Sequence, residues 1–386
     1  MDSFEPNRET NMQNEQNQST APQEPMFQRS ATGSYNGAGE PIGTNGYNQS
    51  SIQPTPFAMI DPEKIARHRS VFNLGNTVGL PLCLYFIGAF ILVLLIKAIM
   101  VVMFGADESN ALLSDPNVVL LVNAVLNLCL FTIPFIFAVS LTEYDIKTLI
   151  PFKSKNNNTL GLVMMGLGVC SVGNFGSTIL ANALESIVKQ FDNEFEIPSA
   201  GIQYGTGVSS FLLALLCVGI LPALLEEFAF RGVVLGLLRT KLSDGTAIVI
   251  SAALFGMVHG NLQQMPFAFI VGLALGYSVV SNGSMLPAIL IHAANNVLTV
   301  VLQFTTFDVS PLEGQLFSFL IQIVMLLVGL CGFIMLIKTD KNAFKLSKEN
   351  TKSVGRDILT FACTPWMLGY IGFVAFSVME SLGIIK

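Results

Sequence analysis

The sequence predicts an all-α polytopic membrane protein, with about eight transmembrane helices around an intramembrane polar cavity. Charged residues make up only 12% of the 386 residues, against about 25% in typical soluble domains. The chain also contains several apolar runs of about 20 residues, the length that crosses a hydrocarbon core of about 30 Å. Because backbone groups in lipid must satisfy their own hydrogen bonds, these runs are expected to be helices.

Eight apolar runs are long enough to be considered as membrane spans. Their approximate bounds are 80–104, 117–141, 159–183, 207–238, 244–260, 265–280, 285–304 and 314–337. A ninth segment, 358–384, is apolar but contains Pro365 and Glu380. It either crosses the membrane or lies at its interface.

The loops between the spans alternate in charge. Basic residues precede the first span and follow the second, fourth and eighth, whereas acidic residues follow the first and third and precede the eighth. Since cytosolic loops are enriched in Lys and Arg, this alternation predicts eight crossings with a cytosolic N-terminus. We expect an integral protein of the cell membrane, with the lipid bilayer as its surroundings.

Three regions follow from the composition. Residues 1–60 are rich in Asn, Gln and Ser and are predicted to be a disordered cytosolic tail. Residues 61–340 form the membrane domain, and 341–386 comprise a basic cytosolic loop and the C-terminal apolar segment. The sequence has no basic patch typical of nucleic-acid binding, and it leaves the oligomeric state open.

The fourth span contains three charged residues, Glu226, Glu227 and Arg231. Each charge near a helix centre costs about 2.5–3.5 kcal/mol, so pairing or a wet cavity is expected. Glu227 and Arg231 are four residues apart on one helical face and are predicted to form an ion pair. Glu226 lies about 100° away and is expected to face the cavity. Alternatively, these charges lie at the cytosolic end of a long helix, and Pro222 permits a kink beside them.

Two of the three histidines lie in or at the end of apolar spans. His259 ends the fifth span and His292 lies inside the seventh, whereas His68 lies beside a basic cluster and is expected at the surface. His292 and Asn296 are four apart and share a helical face, which Asn295 does not. Each histidine alone could simply make an interhelical hydrogen bond, but two near a buried glutamate indicate a site.

Three motifs then give a family resemblance over about residues 207–304. Glu226 to Arg231 matches EExxxR, Phe255 to His259 matches FxxxH, and His292 to Asn296 matches HxxxN. In this order the motifs resemble those of the CAAX protease and bacteriocin-processing (CPBP, or Abi) membrane proteases. The resemblance implies an eight-helix core that hydrolyses peptide bonds in an intramembrane cavity.

The same resemblance implies roles for the motif residues. Glu226 is expected to be the general base, and His259 to orient water or polarise the carbonyl. The resemblance assigns stabilisation of the oxyanion to His292 and Asn296. Glu227, Arg231 and Phe255 are expected to support the site structurally.

The residues leave open whether the site binds a metal ion. Glu226, His259 and His292 could form a His₂Glu zinc site with an open position, although the HExxH spacing is absent. A reaction driven by Glu226 alone uses the same residues, and we favour this second reading. No other cofactor is predicted.

The favoured function is an intramembrane endopeptidase acting on membrane-associated, lipidated or pro-peptide substrates. A non-catalytic scaffold or regulator on the same fold is the alternative, although a scaffold has no need of intact Glu226, His259, His292 and Asn296. A transporter that relays protons through intramembrane charges is disfavoured, because the sequence shows no internal repeat.

Overall fold

A computed structural model of the chain describes residues 61–191, 193–197, 203–307, 309–340, 343–346 and 353–385. The predicted tail 1–60 lies outside these residues, as do 341–342 and 347–352 of the predicted basic loop. All the regular elements in the described ranges are helical, which confirms the all-α class. In chain order they are α1 Pro62–Phe104, α2 Ala106–Leu112, α3 Pro116–Ser140, α4 Ile146–Leu149, α5 Thr159–Val188, α6 Val208–Arg239, α7 Asp244–Met257, α8 Gln264–Asn282, α9 Leu286–Thr305, α10 Pro311–Thr339, α11 Val354–Ala362 and α12 Pro365–Ser381.

Seven of these helices are long and apolar enough to cross a membrane, namely α1, α3, α5, α6, α8, α9 and α10. The C-terminal segment is a pair of helices, α11 and α12, bent by 71° at a short break. If this pair counts as one span the number is eight. Pro365 begins α12 after the break, where its missing amide donor costs nothing. The protein is therefore a polytopic membrane protein.

The fifth predicted span, 244–260, is shorter in the structure. Helix α7 begins after Ser243, whose hydroxyl caps the first turn, and ends at Met257 after 14 residues. At 1.5 Å per residue it is about 21 Å long, less than the thickness of the hydrocarbon core. The chain leaves the helix through Gly260, which adopts φ +63°, a conformation that other residues rarely adopt. The helix therefore ends two residues before His259.

Helices α5 and α10 pack with their backbones in contact. A Cβ atom built on Gly168 would lie 2.6 Å from the Cα of Gly329. Ser171 donates a hydrogen bond from its hydroxyl to the Gln322 carbonyl across the same interface, at 2.8 Å. Small residues permit such close approach between membrane helices. Helix α5 also packs against α8 and α9, so the α5–α10 pair lies directly beside them.

The C-terminal pair α11–α12 packs along α1. A Cβ atom on Gly79 of α1 would lie 2.7 Å from the Met367 amide nitrogen. Arg67 and Asp357 form an ion pair, with 2.8 Å between Nη2 and Oδ2. These contacts fix the first and last helices to each other.

Helix α6 contains two widened, π-helical turns. They span Leu215–Ile220 and Phe228–Val234, and the α-helical stretch Leu221–Glu227 lies between them. Pro222 is the second residue of that stretch and has no amide hydrogen to donate to a helical hydrogen bond. Widened turns of this kind are frequent at functional sites. Both glutamates of the predicted site end the intervening stretch.

Short connections make α7, α8 and α9 neighbours, as the sequence predicts. Helix α8 packs against both α7 and α9. The turn after α8 is fixed by buried Asn282, which donates to Asn158 Oδ1 at 2.9 Å and to the Asn156 carbonyl at 3.1 Å. Helix α9 in turn packs against the glutamate-bearing stretch of α6. These helices, together with the turn after α7 that holds His259, carry all seven motif residues.

Candidate active site

Glu227 and Arg231 form a buried ion pair in α6. Arg231 Nη1 lies 2.9 Å from Glu227 Oε1, and both side chains are fully shielded from solvent. The guanidinium also donates through Nη2 to the Gly272 carbonyl of α8, at 3.4 Å. The predicted pairing of these two residues is therefore present in the structure.

The ion pair is not completely hydrogen-bonded. Glu227 Oε2 and Arg231 Nε are buried and have no hydrogen-bond partner within the described part of the protein. A buried polar atom without a partner costs about 1–3 kcal/mol, and buried ion pairs in general add little net stability. The pair is therefore poorly explained as a stabilising device for the fold.

His292 of α9 lies between the two glutamates. Its Nδ1 is 2.8 Å from Glu227 Oε1, and its Nε2 is 3.8 Å from Glu226 Oε2. An ionised carboxylate only accepts hydrogen bonds, so Nδ1 carries a hydrogen and donates it to Glu227. The two glutamates point in different directions, as helix geometry predicts, and each faces a different nitrogen of the same imidazole ring.

Glu226 differs from its neighbour in exposure. Its side chain is 13% exposed, compared with 0% for Glu227. The distance of 3.8 Å to His292 Nε2 exceeds that of a hydrogen bond. Glu226 therefore retains acceptor capacity on the accessible side of the site.

The ring of His259 is oriented by the end of its own helix. Beyond Met257 the backbone hydrogen bonds tighten, with the His259 amide donating to the Gly256 carbonyl at 3.3 Å. The Phe255 carbonyl oxygen instead forms a hydrogen bond with His259 Nδ1, at 2.9 Å. Since a carbonyl only accepts, Nδ1 carries the hydrogen, and in the neutral ring Nε2 is an acceptor.

The Phe255 ring connects these groups. Arg231 Cζ lies 4.2 Å from its centroid, within the range of a cation–π interaction. The imidazoles of His259 and His292 both meet it nearly perpendicularly, with ring centroids 5.2 and 5.8 Å from that of Phe255. The side chain of Phe255 thus contacts Arg231 of α6, His259 in the turn after α7, and His292 of α9.

The two asparagines of α9 are also joined. Buried Asn295 donates from Nδ2 to Asn296 Oδ1, at 3.3 Å, and Asn296 is half-buried. With its oxygen occupied, Asn296 has its amide hydrogens available for donation. The sequence reasoning set Asn295 aside because it lies on another face, and no residue spacing indicates that it would contact its neighbour.

The structure thus brings Glu226, Glu227, Arg231 and His292 into direct contact, and it links His259 to them through Phe255. Asn296 lies one turn beyond His292 on α9 and, in the described residues, its hydrogen-bond partner is Asn295.

A zinc site is not assembled by these side chains. Within the described ranges, no group of three or more His, Cys, Asp or Glu residues is placed to hold one metal ion. The proposed trio Glu226, His259 and His292 therefore does not fit a bound zinc as the structure places it.

Two carboxylates, two imidazoles and a carboxamide, carried by neighbouring helices of a membrane protein, have the composition of a hydrolase site. Residues 208–298 match the family model described as type II CAAX prenyl endopeptidase Rce1-like. This segment is about a quarter of the chain and contains all three motifs. The resemblance to CAAX-type intramembrane proteases is thereby confirmed over these residues. No curated protein and no solved structure matches the chain significantly.

Proposed function

We propose that this protein is an intramembrane endopeptidase in which Glu226 activates water for hydrolysis of a peptide bond. The position of Glu226 carries the proposal. It is the more exposed of two adjacent carboxylates and faces His292 Nε2 at 3.8 Å, while Glu227 is occupied by Arg231 and His292. Glu227 Oε2 has no hydrogen-bond partner in the described residues but is fully buried, so of the two carboxylates Glu226 is the one that solvent reaches.

In the first step, the oxygen of a water molecule attacks the carbonyl carbon of the substrate, and the water gives a proton to Glu226. His259 Nε2, left as an acceptor by the Nδ1 hydrogen bond to Phe255, orients the second hydrogen of that water. A positioned general base contributes about 10²–10⁴-fold to a rate. Glu226 and His259 thus define the attacking side of the site.

The oxyanion that forms on the substrate needs hydrogen-bond donors. Asn296 supplies its amide hydrogens, because its oxygen accepts from Asn295. His292 is proposed as the second donor, through Nε2, the ring nitrogen that is not hydrogen-bonded to Glu227. Removal of a single oxyanion donor typically costs about 10²–10³-fold in rate.

The intermediate collapses when the carbon–nitrogen bond breaks and Glu226 returns its proton to the leaving amine. One water is consumed, and a carboxylic acid and an amine are formed. No step in this sequence passes through a metal ion.

The substrate class follows from the surroundings of the site. Residues on membrane helices reach peptides that are themselves held in the bilayer, such as lipidated C-terminal tails or membrane-bound pro-peptides. The matched family is described as type II CAAX prenyl endopeptidase, so a prenylated tail is the first substrate to test. The cleaved segment must be extended, because helical peptide bonds are internally hydrogen-bonded.

The decisive experiment compares peptides released from membranes that contain the wild type or Glu226→Ala, by mass spectrometry. Glu185→Ala is the matched control, since Glu185 pairs with Lys189 near the end of α5, outside the site. We expect products that depend on Glu226 but not on Glu185. Identical peptides in all three samples would contradict the protease and favour the scaffold.

We also propose that the N-terminus and the loop at 338–357 lie in the cytosol, from the alternating loop charges. Single cysteines introduced as Ser70→Cys and Ser347→Cys should be protected from an impermeant thiol reagent added outside intact cells. The parent chain provides the background from native cysteines. Labelling of either new cysteine from outside would contradict this orientation.

A further inference from the structure

Helix α12 lies outside the segment that matches the protease family, yet it contacts α7 and the turn after it, which holds His259. One face of α12 is buried, at Met367, Tyr370 and Val374. The spacing of these residues places them on one side of a helix. Tyr370 is completely buried, and its hydroxyl reaches across to α7.

The first contact is made five residues before His259. Tyr370 donates from its hydroxyl to the Leu254 carbonyl, at 2.8 Å. This carbonyl belongs to the peptide group that joins Leu254 to Phe255. The Phe255 ring contacts both histidines and Arg231, and the Phe255 carbonyl accepts from His259 Nδ1.

The second contact is made one residue after His259. A Cβ atom built on Gly260 would lie 2.9 Å from Ser377 Cβ, so α12 presses directly on the turn that follows α7. The backbone around His259 is thus held by the same helix on both sides, at Leu254 and at Gly260.

Helix α12 is itself held by α1. Three contacts join α1 to the C-terminal helices α11 and α12. Gly79 closely approaches Met367, Arg67 forms an ion pair with Asp357, and Cys83 Sγ donates a hydrogen bond to the Trp366 carbonyl at 3.0 Å. These contacts matter because a displacement of a catalytic group by about 1 Å can lower the rate about 10²-fold.

We propose that Tyr370 is a positioning residue for His259, and that the C-terminal helix α12 completes the active-site framework. The proposal rests on the proposed function, because it assigns the reaction to the site that Tyr370 supports. Tyr370 does not touch the substrate. It fixes the peptide group before Phe255, and through the Phe255 carbonyl it fixes the direction of His259 Nε2.

Tyr370→Phe removes only the hydroxyl and keeps the ring in its buried site. The matched control is Ser171→Ala, which removes a hydroxyl-to-carbonyl hydrogen bond of equal length between α5 and α10, helices without candidate catalytic residues. Full-length wild type, both variants and Glu226→Gln are purified into lipid nanodiscs. Two measurements follow, the kinetics of cleavage of a farnesylated CAAX-type peptide and the hydrogen exchange of the backbone amides at 255–261.

For Tyr370→Phe we expect kcat to fall about tenfold with KM within twofold of the wild type, and faster exchange at 255–261. Ser171→Ala should leave both measurements at wild-type values, although the two variants lose similar thermal stability. Wild-type exchange at 255–261 in Tyr370→Phe, or wild-type kcat with altered exchange, would overturn the proposal. If the wild type itself does not cleave the peptide, the prenyl substrate fails, and the same kinetics are then measured on any product found to depend on Glu226. A complete lack of such products refutes the protease, and with it the role of Tyr370 in the reaction, whatever the exchange result.

Discussion

Glu226 and Glu227 are adjacent in the sequence but have opposite surroundings. Glu227 has no exposed surface and receives hydrogen bonds from Arg231 and His292, whereas Glu226 is partly exposed and stands 3.8 Å from the same imidazole. The comparison teaches that a doubled carboxylate motif can combine one group that builds the site with one that is available for chemistry. The neighbours Asn295 and Asn296 repeat this arrangement, since the buried amide donates to the half-buried one.

Glu226→Gln tests the chemical member of the pair most directly. We expect cleavage to fall by about 10³-fold, because the amide cannot take a proton from water. Protein abundance and thermal stability should stay near the wild-type values, since Glu226 makes no hydrogen bond within the described residues that the amide would lose. Cleavage assays and thermal unfolding of the same preparation measure both quantities. Substantial residual activity would show that another group is the base.

Glu227→Gln tests the structural member. Loss of its charge leaves the buried Arg231 guanidinium without its hydrogen-bonded carboxylate partner, and such a change costs about 3–5 kcal/mol. We therefore expect lower abundance and a clear loss of unfolding free energy in detergent titrations, in addition to reduced cleavage. Equal stability of Glu226→Gln and Glu227→Gln would remove the distinction between the two carboxylates.

The asparagine pair extends the comparison. Asn296→Ala removes the proposed oxyanion donor and should lower kcat by about 10²-fold. Asn295→Ala leaves that donor in place but frees its orientation, so a loss of about tenfold is expected, smaller than that for the donor itself. Steady-state kinetics of the two variants in parallel decide the order, and a larger effect at Asn295 would reverse the proposed roles.

The smallest expected effect is that of metal removal. If Glu226 is the base without zinc, treatment with 1,10-phenanthroline and removal of the chelator leave cleavage unchanged. Elemental analysis of the active protein should then find far less than one zinc per chain. Near-stoichiometric zinc whose loss abolishes activity, and whose return restores it, would overturn the metal-free reaction and with it the division between Glu226 and Glu227.

Much of the fold could be predicted from the sequence, because lipid requires long apolar helices whatever their packing. The residues of the site could be recognised for a related reason, since charged and imidazole groups in apolar runs are costly and stand out. The end of α7 at Met257 was less predictable, because it depends on the backbone of Gly260. The position of His292 between both glutamates depends on how α9 packs against α6, which no periodicity within one helix describes. Tyr370 offered no signal, since it is one of seven tyrosines in a segment outside the motifs.

The two widened turns of α6 also bear on how this helix tolerates changes in length. A π-helical turn accommodates one residue more than the regular helix would, so each turn resembles an insertion that was absorbed without breaking the span. Deletion of one residue within Leu215–Ile220 that restores regular winding there would leave the preceding part of the helix facing nearly the same way relative to the glutamates, because the widened turn already absorbs the rotation of about 100° that an extra residue would add to a regular helix. In alignments with related proteins, a one-residue gap in this stretch would therefore mark the loss of a widened turn, while the face that the start of the helix presents stays the same.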